Sequence, residues 1–145
     1  MSKTDVFKSI IWASYEVFLA IVPVMIWIAI LVFSTPNSSI SFEFPAFSFF
    51  CVSIWASCIR EVPRVFCGES AKDRYERECG LALSLIGLIF SVICLVMAVL
   101  KSTDAITYLW DLFSYAVIGL MGFGTLLLFA IMTFKIQRKE FDRVV

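Results

Sequence analysis

The sequence lacks histidine, and none of its five cysteines forms a Cys-x-x-Cys pair. Histidine is the usual proton shuttle near neutral pH and the commonest metal ligand, so its absence removes the most frequent routes to acid–base and metal-dependent catalysis. No Walker motif or other glycine-rich phosphate loop is present either. The sequence therefore predicts a protein that is not an enzyme and that uses no cofactor or metal ion.

Charge is missing from four long stretches of the chain: Val17–Phe33, Phe44–Ile59, Cys79–Leu100 and Leu112–Phe134. A helix needs about 20 residues to cross a hydrocarbon core of about 30 Å. The third and fourth stretches meet this length, the first meets it if the helix begins a few residues earlier, and the second is marginal. For the second stretch, a re-entrant hairpin or an interfacial segment is the alternative.

This pattern predicts an all-α protein, an integral membrane four-helix bundle that forms one domain over residues 1–145. The expected spans are residues 12–33, 43–61, 80–100 and 110–135. A soluble bundle is not expected, because the third and fourth stretches keep no polar face that could meet water. The lipid bilayer is thus the first partner that the sequence implies.

The basic residues indicate how the chain is oriented. The formal net charge is zero, and no basic excess points to nucleic acid. Eleven of the twelve basic residues precede the first charge-free stretch, lie between the second and third, or follow the fourth, and only Lys101 lies between the third and fourth, in an outer loop. By the positive-inside rule both termini and the middle loop are expected to be cytoplasmic, in a multi-pass inner-membrane protein.

The middle loop contains the stretch "SAKDRYERE", which predicts a helix capped by Ser70 with Asp73 completing a capping box. This helix can continue into the third span as one rod. It is either a solvated connector or a docking surface for a cytosolic protein, and the basic tail offers a second such surface. The candidate docking residues are Lys72, Arg74, Arg77, Arg138 and Lys139.

Small residues recur along the third span in steps of four and three. That spacing keeps one strip of a helix facing a neighbour, and in lipid small residues let two helix backbones approach closely. The fourth span has a shorter glycine cluster that can mate with the strip. The neighbour is either in the same chain or in a second copy, so a homo-oligomer is expected. The predicted packing seam comprises Gly80, Ser84, Gly87, Ser91, Cys94, Ala98, Gly119 and Gly122.

Three acids lie near membrane depth: Glu16, Glu43 and Asp111. Each sits at the edge of an apolar stretch, where it can reach headgroups or water, so we interpret them as boundary residues. Glu16 is the exception, because it would lie near mid-membrane if the first helix began near Val6, and an intramembrane acid is a functional candidate. Trp55 is assigned to an aromatic belt at the inner membrane surface.

In architecture the chain resembles two bacterial classes. One is the small four-helix membrane subunit of anti-phage systems of the Kiwa type, which pairs a membrane component with a cytosolic effector. The other is the four-helix immunity protein against pore-forming bacteriocins, which the ending "LLLFAIMTFKIQRKE" also resembles. The resemblance covers topology and carries no functional residue with it.

The charge layout favours the first class, a membrane sensor or anchor for a cytosolic partner in antiviral defence. The middle loop and the tail give two mixed-charge cytosolic elements, whereas both outer loops are minimal. An immunity protein meets its toxin within the membrane and needs no such cytosolic face. The alternatives are an immunity protein and, second, a small channel or transporter subunit.

Overall fold

The part of the chain that the structure describes is helical and contains no β-strand. The structure is a computed structural model, and it describes residues 45–68, 70–107, 109 and 112–141, with side chains up to residue 136, as well as several positions between residues 7 and 30. A short apolar helix, α1, covers Val17–Ile26. Three longer helices follow: α2 (Pro45–Val65), α3 (Ala71–Ser102) and α4 (Phe113–Phe141).

Two of these helices are long and apolar enough to cross a membrane: α3, with 32 residues, and the 24 residues Phe113–Ile136 of α4. Only 28% of the most apolar window of each helix is buried inside the chain, unlike the core helix of a soluble protein. Large apolar side chains of α3, such as Ile86, Ile89 and Phe90, are more than half exposed. Such a surface is typical of a helix that faces lipid.

The first and second predicted spans are not among the helices that are long and apolar enough to cross a membrane. α2 begins two residues after the expected start and continues to Val65, and its last turns carry Arg60, Glu61 and Arg64. The bounds of the first predicted span, 12 and 33, lie outside the described residues. The all-α fold is therefore confirmed over the described part, while the four-span topology stays a prediction.

α3 is one uninterrupted rod, as the sequence predicted. Its N-cap is Ser70, whose backbone is extended and whose Oγ accepts a hydrogen bond from the Asp73 backbone N–H at 3.1 Å. The Ser70 hydroxyl in turn donates to the Asp73 carboxylate at 2.8 Å. Because the helix then runs to Ser102 without a break, its polar first turns are rigidly joined to its apolar length.

α2 is the central helix of the bundle. It packs against both α3 and α4, which contact each other far less. Ten of its 21 residues are buried, compared with five of 32 in α3. Buried apolar residues form two clusters, one around Trp55 that also receives Val24 of α1, and one around Val62 and Leu128. Contacts with α2 therefore organise the fold.

Candidate functional site

The small-residue strip of α3 lies within the bundle. Its two serine hydroxyls donate to carbonyls of their own helix, Ser84 to Gly80 at 2.7 Å and Ser91 to Gly87 at 2.8 Å. The hydroxyls are thus satisfied inside α3 and leave a thin surface for the neighbouring helix. Gly80 is half-buried, and the buried residues of α3 are Ser84, Gly87, Ser91, Cys94 and Ala98.

Trp55 of α2 fills the space that two glycines leave. A Cβ atom added to Gly87 of α3 would lie 2.3 Å from ring carbons of Trp55, and one added to Gly124 of α4 would lie 3.1 Å from the same ring. The indole is 1% exposed. The assignment of Trp55 to an aromatic belt is therefore wrong, because its ring is wedged between α3 and α4 in the core.

Three side chains of α2 donate hydrogen bonds to backbone carbonyls of α4. Trp55 Nε1 donates to Leu120 at 3.2 Å, and the thiols of Cys51 and Cys58 donate to Val117 at 3.6 Å and to Gly124 at 3.7 Å. The donors recur in steps of four and three, so one face of α2 is joined to α4 over two turns in the middle of the helix. Thiols are weak donors, and the indole contact is the strongest of the three.

Gly119 and Gly122 are not part of this packing within one chain. Both are exposed, and a Cβ atom added to either would meet nothing within 4 Å. The expectation that the glycines of the fourth span mate with the strip needs this correction: the close neighbour at Gly87 is α2, and Gly124 is the glycine of α4 that packs tightly. The physical reason is the Trp55 ring, which separates α3 from α4. The homo-oligomer stays a prediction.

A second polar feature, which we call the charge cluster, comprises Arg60, Glu61, Arg64 and Lys135. The Glu61 side chain is 2% exposed. Its Oε1 accepts from Arg60 Nε at 3.2 Å and from Arg64 at 2.8 Å, and its Oε2 accepts from Lys135 Nζ at 2.6 Å. Burying a carboxylate is costly unless it is paired and hydrogen-bonded, and here both oxygens have cationic partners.

The charge cluster lies where the apolar part of the bundle ends. Lys135 directly follows the charge-free stretch of α4, and Arg60 begins the charged end of α2. Next to the cluster the rings of Phe66 and Phe134 are 6.1 Å apart between centroids. The cluster thus joins α2 to α4 at the end of the bundle where both helices turn from apolar to charged.

The docking candidates of the middle loop lie on the polar start of α3, residues 71–79, which we call the extension. Lys72 and Arg74 are exposed and Arg77 is half-buried. Lys72 Nζ lies 3.7 Å from Glu76 Oε1, one helical turn away. The side chains of Arg138 and Lys139 lie outside the described part of the chain, and so does Glu16.

Sequence reasoning missed three residues of these sites. Glu61 and Lys135 are 74 positions apart, and no local sequence pattern indicates that they meet. The one sequence feature that pointed to an ion-pair site was a glutamate flanked by two arginines at the end of an apolar stretch. Tyr75 is 69% exposed on the extension, and as the only aromatic residue among charged neighbours it could have been singled out.

The described residues bring no group of three or more His, Cys, Asp or Glu side chains together in a way that could hold a metal ion. The arrangement comprises a tightly packed seam, a buried ion-pair cluster and an exposed helical extension.

Compared with known proteins, the chain matches no family model, no curated sequence and no solved structure.

Proposed function

We propose that the protein is a non-enzymatic membrane anchor that binds a cytosolic protein partner through the extension of α3. The observation that carries the proposal is the continuity of α3: the helix that provides the packing seam also projects about 13 Å of polar, exposed helix beyond it, nine residues at about 1.5 Å each. A partner bound there would be held at a fixed distance from the bundle.

The surface of the extension suits a specific protein contact. Three basic residues, Lys72, Arg74 and Arg77, alternate with the acidic residues Asp73, Glu76 and Glu78. A surface that mixes both signs favours selective pairing, since a wrong partner meets like charges. Tyr75 adds a large exposed ring, and tyrosine is among the residue types that dominate binding energy at protein interfaces.

The same geometry gives a physical route to sensing. Gly87 lies four helical turns from Lys72 on one unbroken helix, and its backbone is in close contact with Trp55. A rotation or shift of the extension would therefore have to move the seam, which is tightly packed and resists small displacements. Binding at one end would change the packing at the other.

Site-specific photocrosslinking in cells tests the proposal. A photoreactive amino acid replaces Tyr75, and the matched control position is Tyr115, which is equally exposed at 71% but lies in the apolar part of α4. We expect position 75 to crosslink to one soluble protein and position 115 to lipid. Reversing Arg74 and Arg77 to Glu should abolish the crosslink from position 75 while the protein remains inserted in the membrane.

A crosslink from position 75 that survives the double reversal would refute charge-selective docking. Absence of any soluble protein at position 75, with biological activity unchanged by the reversal, would make the middle loop a connector. The immunity interpretation, in which the partner meets the chain within the membrane, would then become the leading one.

A further inference from the structure

The exposed charges of the extension lie on one side of α3, centred on Tyr75. Tyr75 and Ser84 are nine residues apart, about two and a half helical turns, so the tyrosine points away from the face that packs on α2. Asp73 and Arg77 lie on the α2 side of the helix and are half-buried. We call the remaining side the outward face, and it comprises Tyr75 and four charged residues, Lys72, Arg74, Glu76 and Glu78.

The four charges of the outward face are ordered along the helix, with both bases nearer its N-terminus and both acids nearer its apolar part. Lys72 and Glu76 lie on one flank of Tyr75, with 3.7 Å between Nζ and Oε1. Arg74 and Glu78 have the same spacing and lie on the other flank, and both are exposed. The outward face thus has a positive end and a negative end.

Helix stability does not account for this order. The N-terminus of a helix has a partial positive charge, which favours acidic side chains in the first turn and disfavours basic ones. Asp73 follows this rule, but it lies on the α2 side. On the outward face the bases come first instead. The order therefore suits something other than the helix itself.

Attraction to lipid headgroups does not account for the order either. Anionic headgroups attract Lys and Arg, and they repel Asp and Glu. The apolar part of α3 begins at Gly80, so the acids Glu76 and Glu78 lie closer to it than the bases do. A second copy in the same membrane would run parallel and would place like charges at equal height, which is unfavourable. A different protein whose charges have the opposite order meets both ends favourably.

We propose that the partner binds the outward face with one α-helix that runs parallel to α3, with acidic side chains opposite the two bases and basic side chains opposite the two acids. Such a helix has its acids at its N-terminus and its bases at its C-terminus, which its own dipole favours. Ala71 and Cys79, both exposed and small, lie one turn to either side of the exposed Tyr75 ring. A helix can therefore approach closely and take the ring into a groove between its side chains. The inference rests on docking through the extension and adds the kind of surface that docks there.

Crosslinking from a photoreactive residue at position 75 tests the charge order. Arg74→Glu and Glu78→Lys each bring like charges together, and each should lower the yield of the crosslinked soluble protein by at least about tenfold. Arg77→Glu is the matched control, because it reverses a base on the α2 side of the same helix and should leave the yield unchanged. A variant that carries both Arg74→Lys and Glu78→Asp keeps the order and should retain the crosslink.

The yield in the Glu78→Lys variant separates this inference from docking itself. A yield that stays the same or rises would show that only the bases are recognised, and the inference would be overturned while docking through the extension stood. Equal losses in the Arg74→Glu and Arg77→Glu variants would show that the outward face is not the contact. If position 75 captures no soluble protein in the unaltered background, docking and this inference fail together.

Crosslinks from positions 71 and 79 test whether the bound element is a helix. The two positions are about 12 Å apart along α3, so a parallel helix should be captured at residues about eight positions apart and in the same chain order. Mass spectrometry of the crosslinked peptides identifies those residues. Captured residues in reversed order, or in separate segments of the partner, would contradict the parallel helix.

Discussion

Replacing Gly87 with alanine tests the packing of α3 on α2 with a single added carbon. That Cβ would lie 2.3 Å from the Trp55 ring carbons Cδ2 and Cε3 and 2.4 Å from Cζ3. Ordinary carbon–carbon contacts are about 3.5–4.0 Å, so the ring or the helix has to move by more than about 1 Å. The ring has little room to do so, because Gly124 lies close to its other edge.

The magnitude follows from three contributions. Overpacking of a buried site costs about 1–3 kcal/mol. Displacing the ring also weakens the 3.2 Å hydrogen bond from Trp55 to the Leu120 carbonyl, worth about 1 kcal/mol. Alanine offsets part of this, since it is favoured over glycine in a helix by up to about 1 kcal/mol. We expect a net loss of about 1–3 kcal/mol in the free energy of unfolding.

The assay is reversible unfolding in mixed micelles, followed by circular dichroism. Gly119→Ala is the matched control, because an added Cβ there meets nothing within 4 Å and only the propensity gain remains. In a Trp55→Ala background, where the opposing ring is gone, Gly87→Ala should become neutral or stabilising. If Gly87→Ala and Gly119→Ala change the stability alike, the close approach of α3 to Trp55 is wrong.

Three further predictions concern the charges and the ends of the bundle. Glu61→Gln should destabilise the chain by about 1–3 kcal/mol, because the partly exposed cations around this buried side chain lose the charged acceptor that they share. Glu76→Gln, which breaks an exposed pair, should cost at most about 0.5 kcal/mol, and equal effects of the two variants in chemical denaturation would contradict the assignment. Ser70→Ala should lower the free energy of unfolding by about 1 kcal/mol, because the Asp73 backbone N–H loses its acceptor at the N-cap. Amide hydrogen exchange in the first turn of α3 should become faster, and unchanged exchange would show that the cap is unimportant. The exposed thiols of Cys67 and Cys79 should react with a membrane-impermeant maleimide in inverted vesicles and not in intact cells, and the opposite result would reverse the proposed orientation.

The sequence carried enough information for the helices and for the thin strip of α3, because both depend on local pattern. Apolar stretches of sufficient length specify helices, and the spacing of Ser84, Gly87 and Ser91 specifies a common face. The pattern does not say which helix covers that face. The stretch that forms α2 was the weakest candidate for a span by length, yet α2 is the helix that lies at the centre.

Trp55 and Glu61 show why the rest could not be predicted. A tryptophan near the end of an apolar stretch is usually interfacial, and only the coincidence of glycines on two other helices makes room for its ring. Likewise, a glutamate between arginines resembles an ordinary boundary charge, and its burial depends on a lysine 74 positions away. Both roles arise from contacts between distant parts of the chain, which a one-dimensional pattern does not contain.

The central position of α2 bears on how the chain assembles as it leaves the ribosome. α3 follows α2 in the chain and can dock on it at once. Because α4 packs mainly on α2 and shares little contact with α3, the surface that α4 binds is already present when α4 is synthesised. Assembly can thus proceed in chain order without rearrangement. A gene split between α3 and α4 should therefore yield two fragments that reassociate in the membrane. A split between α2 and α3 would instead leave α3 and α4, which share little contact, in a fragment that lacks the helix on which both pack.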